Sequence, residues 1–350
     1  MPRICAVSTA VPEYCVTQDT AEEFARNLFS NHIADLDRLL PIFVNSGIDK
    51  RYLSAPLEWF SEPHSLEEKN QRYVELATEL SHNAVRKLLE TCSLDPSEID
   101  YLIFVNTTGI ATPSIDARII NKLNLRDSIR RTPIWGLGCA GGAAGISHVY
   151  HHALGHPNEK IVVVAAELCG LTFVADDFSK SNLVASALFG EGAAAVLVNG
   201  DEVSSDGIEI LATNSRFCPD SLDVMGWSVV NKGLQVVLAQ RIPKIVKATS
   251  REDLTAFLLQ HNLSLEDIEA FLFHPGGTKV VEAYEEALAL SDGQLALSRD
   301  ILRDYGNMSS VTVLFVLERF MRDRKSSGDG HGLISALGPG FCSESVLMRL

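Results

Sequence analysis

A domain-sized internal repeat constrains this chain more than any other feature of its sequence. The block Leu94-Asp95-Pro96-Ser97-Glu98-Ile99-Asp100 leads into an apolar strand, Tyr101 to Val105. Its pattern returns in Asn262-Leu263-Ser264-Leu265-Glu266-Asp267-Ile268-Glu269, which leads into Phe271-Leu272-Phe273 and stops at His274-Pro275-Gly276-Gly277. Val105 and His274 stand 169 residues apart. Gly138-Cys139 opens one helix-period stretch and Gly306-Asn307 opens another, with Cys139 and Asn307 168 residues apart. Two independent landmarks at nearly equal spacing indicate a duplication, and solenoid repeats have much shorter periods. The two halves are expected over residues 1–200 and 207–350, with the boundary within Asn199 to Asp206. Each half offers strand, helix and strand, which predicts an α/β fold with a mostly parallel sheet covered by helices. Ligands of such sheets gather at the strand C-terminal ends. Cys139, His274 and Asn307 all fall at such ends, so the duplication predicts that they converge.

Local patterns fill in the frame. A buried-looking strand, Thr132 to Leu137, enters Gly138-Cys139-Ala140-Gly141-Gly142, and a helix, Ala143 to Leu154, leaves it. Small residues there allow a sharp bend and close backbone approach. A cysteine at a helix N-terminus meets free N–H groups and the positive end of the helix dipole, which lowers a thiol pKa. The plainer alternative is a small buried cysteine at a tight turn. Further strands are expected over Ile4 to Val7, Ile161 to Ala166, Ala193 to Val198 and Ile208 to Ala212. Helices are expected over Asp19 to Phe29, Ile33 to Phe43, Arg72 to Leu89 and Val311 to Phe320, and Pro56 to Lys69 reads as an irregular covering loop.

Composition enters mainly by exclusion. With 46% hydrophobic and 21% charged residues, 350 residues can bury a large core. A net charge of −15 argues against a nucleic-acid binder, which needs a basic stripe. Seven scattered cysteines without a CxxC pair suggest neither a disulfide framework nor a metal site, and predict a reducing, cytoplasmic setting. The first residues read as a strand and not as a signal peptide, and no run of about 20 apolar residues predicts a membrane span.

A cysteine, a histidine and an asparagine at one site suit acyl transfer through a thioester. Cys139 is the expected nucleophile, with His274 stabilising its thiolate. His274 Nε2–H and the Asn307 amide can both donate to a thioester carbonyl, favouring the enolate left when a malonyl group loses carbon dioxide.

These motifs resemble the type III polyketide synthases, the chalcone and stilbene synthase family of the thiolase-like superfamily. Five blocks carry the resemblance: Trp135-Gly136-Leu137-Gly138-Cys139-Ala140-Gly141-Gly142, Leu188-Phe189-Gly190-Glu191-Gly192-Ala193, His274-Pro275-Gly276-Gly277, Gly306-Asn307-Met308-Ser309-Ser310, and Gly338-Pro339-Gly340-Phe341. The resemblance implies a thiolase-like duplicated αβαβα fold, a homodimer, and an acyl-CoA starter on Cys139 extended by malonyl-CoA, with no resident cofactor. It implies Phe189 as a gatekeeper between a CoA tunnel and the cavity, with Thr172 and Ser309 among the cavity residues. Gly276 and Gly277 fall among the implied CoA contacts. A second gatekeeper phenylalanine of the plant enzymes aligns with Val236, a common threonine with Cys169, and a methionine that enters the neighbouring subunit with Thr112. Smaller residues there open room for a long chain, as in bacterial alkylpyrone-forming synthases, unless a bulky residue such as Trp227 refills it. The family's phosphate-binding positions fall near Arg38, Pro41 and Asn45, so Arg38, with Lys50 or Arg51 as substitutes, is expected to meet CoA. Competing readings are a chalcone-like synthase with an aromatic or short starter, a ketoacyl synthase III-type condensing enzyme, and a CoA- or lipid-binding homologue without activity. A papain-like hydrolase shares the Cys-His-Asn order but predicts no duplication.

Overall fold

In the computed structural model, which describes residues 1–324 and 330–350, the chain starts with β1 (Arg3–Ala10), β2 (Tyr14–Thr17) and α1 (Gln18–Phe29). The single helix expected over Ile33 to Phe43 is instead two, α2 (Leu36–Leu39) and α3 (Pro41–Asn45). Pro41 has no N–H to continue the first helix, and its fixed φ suits the first position of the second. Next, β3 (Lys50–Leu53) pairs with β2. The stretch expected to be irregular holds α4 (Leu57–Phe60) and the first turn of α5 (Leu66–Cys92). A capping box explains the early start: Ser65 Oγ accepts from Glu68 N–H, and the Glu68 carboxylate accepts from Ser65 N–H at 2.8 Å.

The remainder of the first half is β4 (Tyr101–Asn106), α6 (Ile115–Leu123), β5 (Arg130–Trp135), α7 (Gly141–Gly155), β6 (Lys160–Leu168), α8 (Lys180–Leu188) and β7 (Glu191–Asn199). The second half opens with β8 (Ile208–Phe217) and a hairpin of β9 (Met225–Val230) and β10 (Gly233–Leu238). It continues with α9 (Ile242–Leu259), β11 (Ile268–Phe273), α10 (Thr278–Leu288), α11 (Ala296–Tyr305), α12 (Thr312–Asp323), β12 (His331–Gly338) and β13 (Cys342–Arg349).

Nine strands hydrogen-bond in the order β11-β12-β13-β8-β1-β7-β6-β4-β5. The duplication is visible in that order. Outward from the short β8–β1 junction, both β8-β13-β12-β11 and β1-β7-β6-β4 make two antiparallel pairings and then a parallel one. The sheet is therefore mixed and not mostly parallel, because the last strand of each half, β7 or β13, returns antiparallel between its neighbours. β5 is also not the buried strand expected over Thr132 to Leu137. It lies at the sheet edge, bonded in parallel to β4, and Arg130, Arg131, Pro133 and Trp135 are exposed.

Strand alternation decides which core each side chain joins. Leu102, Phe104, Val162 and Val164 point outward onto Ala77, Leu80, Ala84 and Leu88 of α5. Ile103, Val105, Val163 and Val196 point inward onto α7 and α12, which meet Ile210, Leu272, Ile334 and Val346 of the other half across the same core. Phe271, Phe273, Leu333 and Leu347 then face α9 and α10. The result is the expected five-layered αβαβα arrangement, with α7 and α12 as its central layer. Among the described residues no helix is long and apolar enough to cross a membrane.

Candidate active site

Glycines bring the duplicated turns together. Cys139 lies in a 3₁₀ turn, Gly138–Ala140, immediately before α7, and Asn307 lies just before the matching turn Ser309–Val311 that leads into α12. A Cβ on Gly142 would stand 2.2 Å from the Ser310 carbonyl oxygen, and one on Gly141 2.6 Å from Val105 Cγ1. Only hydrogen at these positions lets the N-terminus of α7 press against the Asn307 turn. Gly138 takes φ +49° and donates its N–H to Thr107 Oγ1 at 3.0 Å, which fixes the bend that presents Cys139.

Asn307 is fixed in backbone and side chain. Its N–H donates to Leu188 O and its carbonyl accepts from Gly190 N–H, both at 2.9 Å, so it brackets Phe189 in an isolated bridge. Oδ1 accepts from Ser309 N–H at 2.8 Å, which orients the amide with Nδ2 toward Gly276 O (3.1 Å) and the Cys139 thiol. Ser309 acts on the same thiol, opposing the rise of its pKa. His274 directly follows β11, held by its N–H to Ser335 O at 2.8 Å, and leads into Gly276. His274 is 4% exposed, and among the described residues neither Nδ1 nor Nε2 has a hydrogen-bond partner. Two unpaired nitrogens in so buried a ring are groups that a substrate can complete.

The electrostatics correct one expectation. Burial pushes the Cys139 thiol up to about 12, and the neighbouring Glu167 charge adds to this against hydrogen bonds from Ser309 and Asn307. Burial also pushes His274 down to about 3. Desolvation thus outweighs the helix end, and burial favours the thiol of Cys139 and the neutral imidazole of His274 over their charged forms. Glu167 is a site residue that sequence reasoning missed. It ends β6 fully buried, with Oε2 accepting from Thr107 N–H, Thr108 N–H and Thr108 Oγ1 and Oε1 accepting from Ser310 Oγ at 2.6 Å. Desolvation raises its pKa to about 7 even against those bonds.

The cavity residues divide into groups. Cys169, Thr172 and Phe189 line one apolar cavity of about 40 Å³, which Val16, Phe24, Leu57 and Phe60 also line. Val236 packs in the cluster that holds Phe189 and Cys169, and its cross-strand partner Trp227 lies 5.9 Å from the Phe189 ring, refilling part of the space. Thr112 is not brought to this cavity: it is exposed in a surface loop near Ile110 and Trp135. Arg38 is 83% exposed and faces Asp35 at 4.0 Å. Gly277 is the uncapped start of α10, where Thr278 Oγ1 donates to Ser46 O at the end of α3. Arg51 cannot substitute at the surface for CoA. It is buried, donating to Ser186 O, Phe189 O and Gln18 Oε1, and so braces the backbone at Phe189.

Known proteins place this arrangement. The family models for the N-terminal and C-terminal domains of chalcone and stilbene synthases match residues 2–202 and 209–350. A Bacillus subtilis (strain 168) protein, named provisionally as a chalcone synthase, is 40% identical, covering 99% of this chain and 98% of its own. The 1,3,6,8-tetrahydroxynaphthalene synthase of Streptomyces peucetius subsp. caesius is 36% identical over 99% of this chain and 92% of its own. The crystal structure of 1,3,6,8-tetrahydroxynaphthalene synthase from Streptomyces coelicolor A3(2), a bacterial type III polyketide synthase, superposes with a TM-score of 0.94 at 27% identity, covering 99% of each chain. Matched in both halves by that model and end to end by those relatives, the chain belongs to the chalcone and stilbene synthase family, the thiolase-like type III polyketide synthases.

Proposed function

We propose that this chain loads a long-chain acyl-CoA on Cys139, extends it iteratively with malonyl-CoA, and closes the product as a pyrone or a resorcinol. As the Cys139 sulfur attacks the starter's thioester carbon, its proton passes to His274, which returns it to the departing CoA thiol. Malonyl-CoA then loses carbon dioxide, and the resulting enolate oxygen receives N–H donors from His274 and from Asn307 Nδ2. The neutral imidazole favoured by burial keeps one N–H for this purpose. The carbanion attacks the Cys139 thioester, and the thiolate leaves to begin another round. Support for the donors comes from the oriented Asn307 amide and the unpaired His274 ring. CoA is read along Gly276, Gly277 and the Arg38 face. A second copy of the chain is read at edge strand β5, beside the exposed Ile110, Thr112 and Trp135.

The observation that carries the long starter is the apolar space behind Cys169 and Phe189. It is small beside a long tail, so such a tail requires Leu57 and Phe60, which line it, to give way. Each buried CH₂ contributes about 0.8 kcal/mol, so affinity should climb with length until the wall stops yielding. A second reading, a short starter or an aromatic polyhydroxylated product, is favoured by Trp227 against Phe189 and by the named product of the Streptomyces relatives. The test is kcat/KM over a series of saturated acyl-CoAs with malonyl-CoA, products identified by mass, for the native chain and Cys169→Phe. The proposal predicts that long starters lose turnover in Cys169→Phe while short ones keep it. Product formed only from short starters or from malonyl-CoA alone supports the second reading instead.

A further inference from the structure

At the end of α7 remote from Cys139, two histidines and a glutamate converge. His152 and His156 are one helical turn apart, their rings stacked at 4.0 Å with an interplanar angle of 1°. The chain then folds back over the helix end, with Glu159 N–H donating to His156 O at 3.2 Å and Gly200 N–H to Glu159 O at 2.9 Å. This sets Glu159 Oε2 2.8 Å from His152 Nε2. The three ligand atoms all lie within 4.8 Å of one another.

We propose that His152, His156 and Glu159 form a binding site for a borderline divalent transition-metal ion, with Zn²⁺ the reference case. His156 is already in the required tautomer. Its Nδ1 lies 3.1 Å from the His152 carbonyl, which can only accept, so Nδ1 carries the proton and Nε2 keeps its lone pair. Metal-bound histidines commonly donate the other ring N–H in this way. Glu159 is likewise supported from behind by Arg130 of β5. Zinc takes imidazole nitrogen and carboxylate oxygen at about 2.0–2.2 Å, so ligand atoms can span at most about 4.2 Å across one ion. An ion lies near the plane of each imidazole that ligates it, so binding requires the stacked rings to turn out of parallel as the ligand atoms close in from 4.8 Å, a rotation open to partly exposed side chains. Two imidazoles and one carboxylate suit Zn²⁺, Ni²⁺ or Cu²⁺, whereas Mg²⁺ prefers oxygen alone. For His152 to ligate through Nε2, its ring carries its proton on Nδ1 and Glu159 exchanges the hydrogen bond from His152 for the ion.

The site lies thirteen residues beyond Cys139, about 20 Å along a helix rise of 1.5 Å per residue, so it takes no part in acyl transfer. It joins the end of α7 to the start of β6, and an ion that binds only the folded chain stabilises it. The test is calorimetric titration of the chelator-treated full chain with ZnCl₂, with MgCl₂ as control, on the native protein, Cys139→Ala and His156→Ala. Thermal unfolding is followed in parallel, and circular dichroism verifies each fold. The proposal predicts one Zn²⁺ per chain in native protein and in Cys139→Ala, weakened at least about tenfold in His156→Ala. Zn²⁺ should raise Tm only where His156 is present. A visible Co²⁺ band that vanishes in His156→Ala would give the same answer spectroscopically. Zn²⁺ uptake unchanged by His156→Ala, or no uptake and no rise in Tm, would overturn it and leave a His152–Glu159–Arg130 ion-pair network.

Discussion

Asn307 shows how a turn residue is held for the donor role proposed for it. Its backbone is tied to Leu188 and Gly190, its Oδ1 to Ser309 N–H, and only the Nδ2 side is turned to the site. Loss of one such oxyanion donor typically costs about 2.7–4 kcal/mol, so Asn307→Ala should slow malonyl-CoA decarboxylation by roughly 100- to 1000-fold. Release of carbon dioxide, measured beside Cys139→Ala, which should keep part of this activity, checks the division of labour. A native rate in Asn307→Ala would remove the assigned role. Cys139, His274 and Asn307 could be singled out in the sequence because glycines punctuate each of them and the repeat aligns their positions. Glu167 was not. It reads as one acid at the end of an apolar strand, and its partners Thr107, Thr108 and Ser310 are 60, 59 and 143 residues away. The direction of the Cys139 shift was also illegible, since a helix end can be read from the chain but the depth of burial that opposes it cannot.

At the scale of elements, the central pair α7 and α12 carries the site, and their contact depends on missing side chains. Gly142→Ala would press a methyl group 2.2 Å from the backbone oxygen of Ser310, which cannot swing aside as a flexible side chain could. Overpacking of this kind costs about 1–3 kcal/mol or more, and here it also separates Cys139 from Asn307. Urea unfolding should therefore show a lower midpoint for Gly142→Ala, with acyl transfer lost beyond what the lower stability explains. Native stability and turnover would contradict the close approach. Helices with clear 3.6-residue periods and strands facing two cores were readable from sequence. Two elements were misread for local reasons: Pro41 divides a continuous apolar pattern, and the Ser65–Glu68 box starts α5 inside a stretch rich in loop-forming residues. β5 was misread for a global reason, since apolar residues on an edge strand look the same in sequence as those on a central one.

For the whole molecule, the duplication was the most informative part of the sequence, and the mixed strand directions were its least legible consequence. The fold also carries a pH signature. Desolvation holds Glu167 at about 7, well above its ordinary 4.5, so the folded chain keeps this carboxyl protonated where the unfolded chain ionises it. Its contribution is complete below about pH 4.5 and is lost as pH rises through 7. A shift of this size corresponds to about 3 kcal/mol, from 1.36 kcal/mol per unit. Glu167→Gln cannot ionise, so the urea midpoint of the native chain relative to the variant should fall between pH 5 and pH 8. A constant difference would mean that Glu167 is not held protonated by the fold. Everything proposed for function rests on an acyl group passing from CoA to one sulfur among seven cysteines. The most direct measurement is the intact mass of the full chain after mixing with a long-chain acyl-CoA alone, followed by peptide mapping. The account predicts one added acyl group, on Cys139, absent in Cys139→Ala and discharged when malonyl-CoA is added. Acylation that persists in Cys139→Ala, or an acyl group on Cys139 that malonyl-CoA cannot discharge, would contradict it.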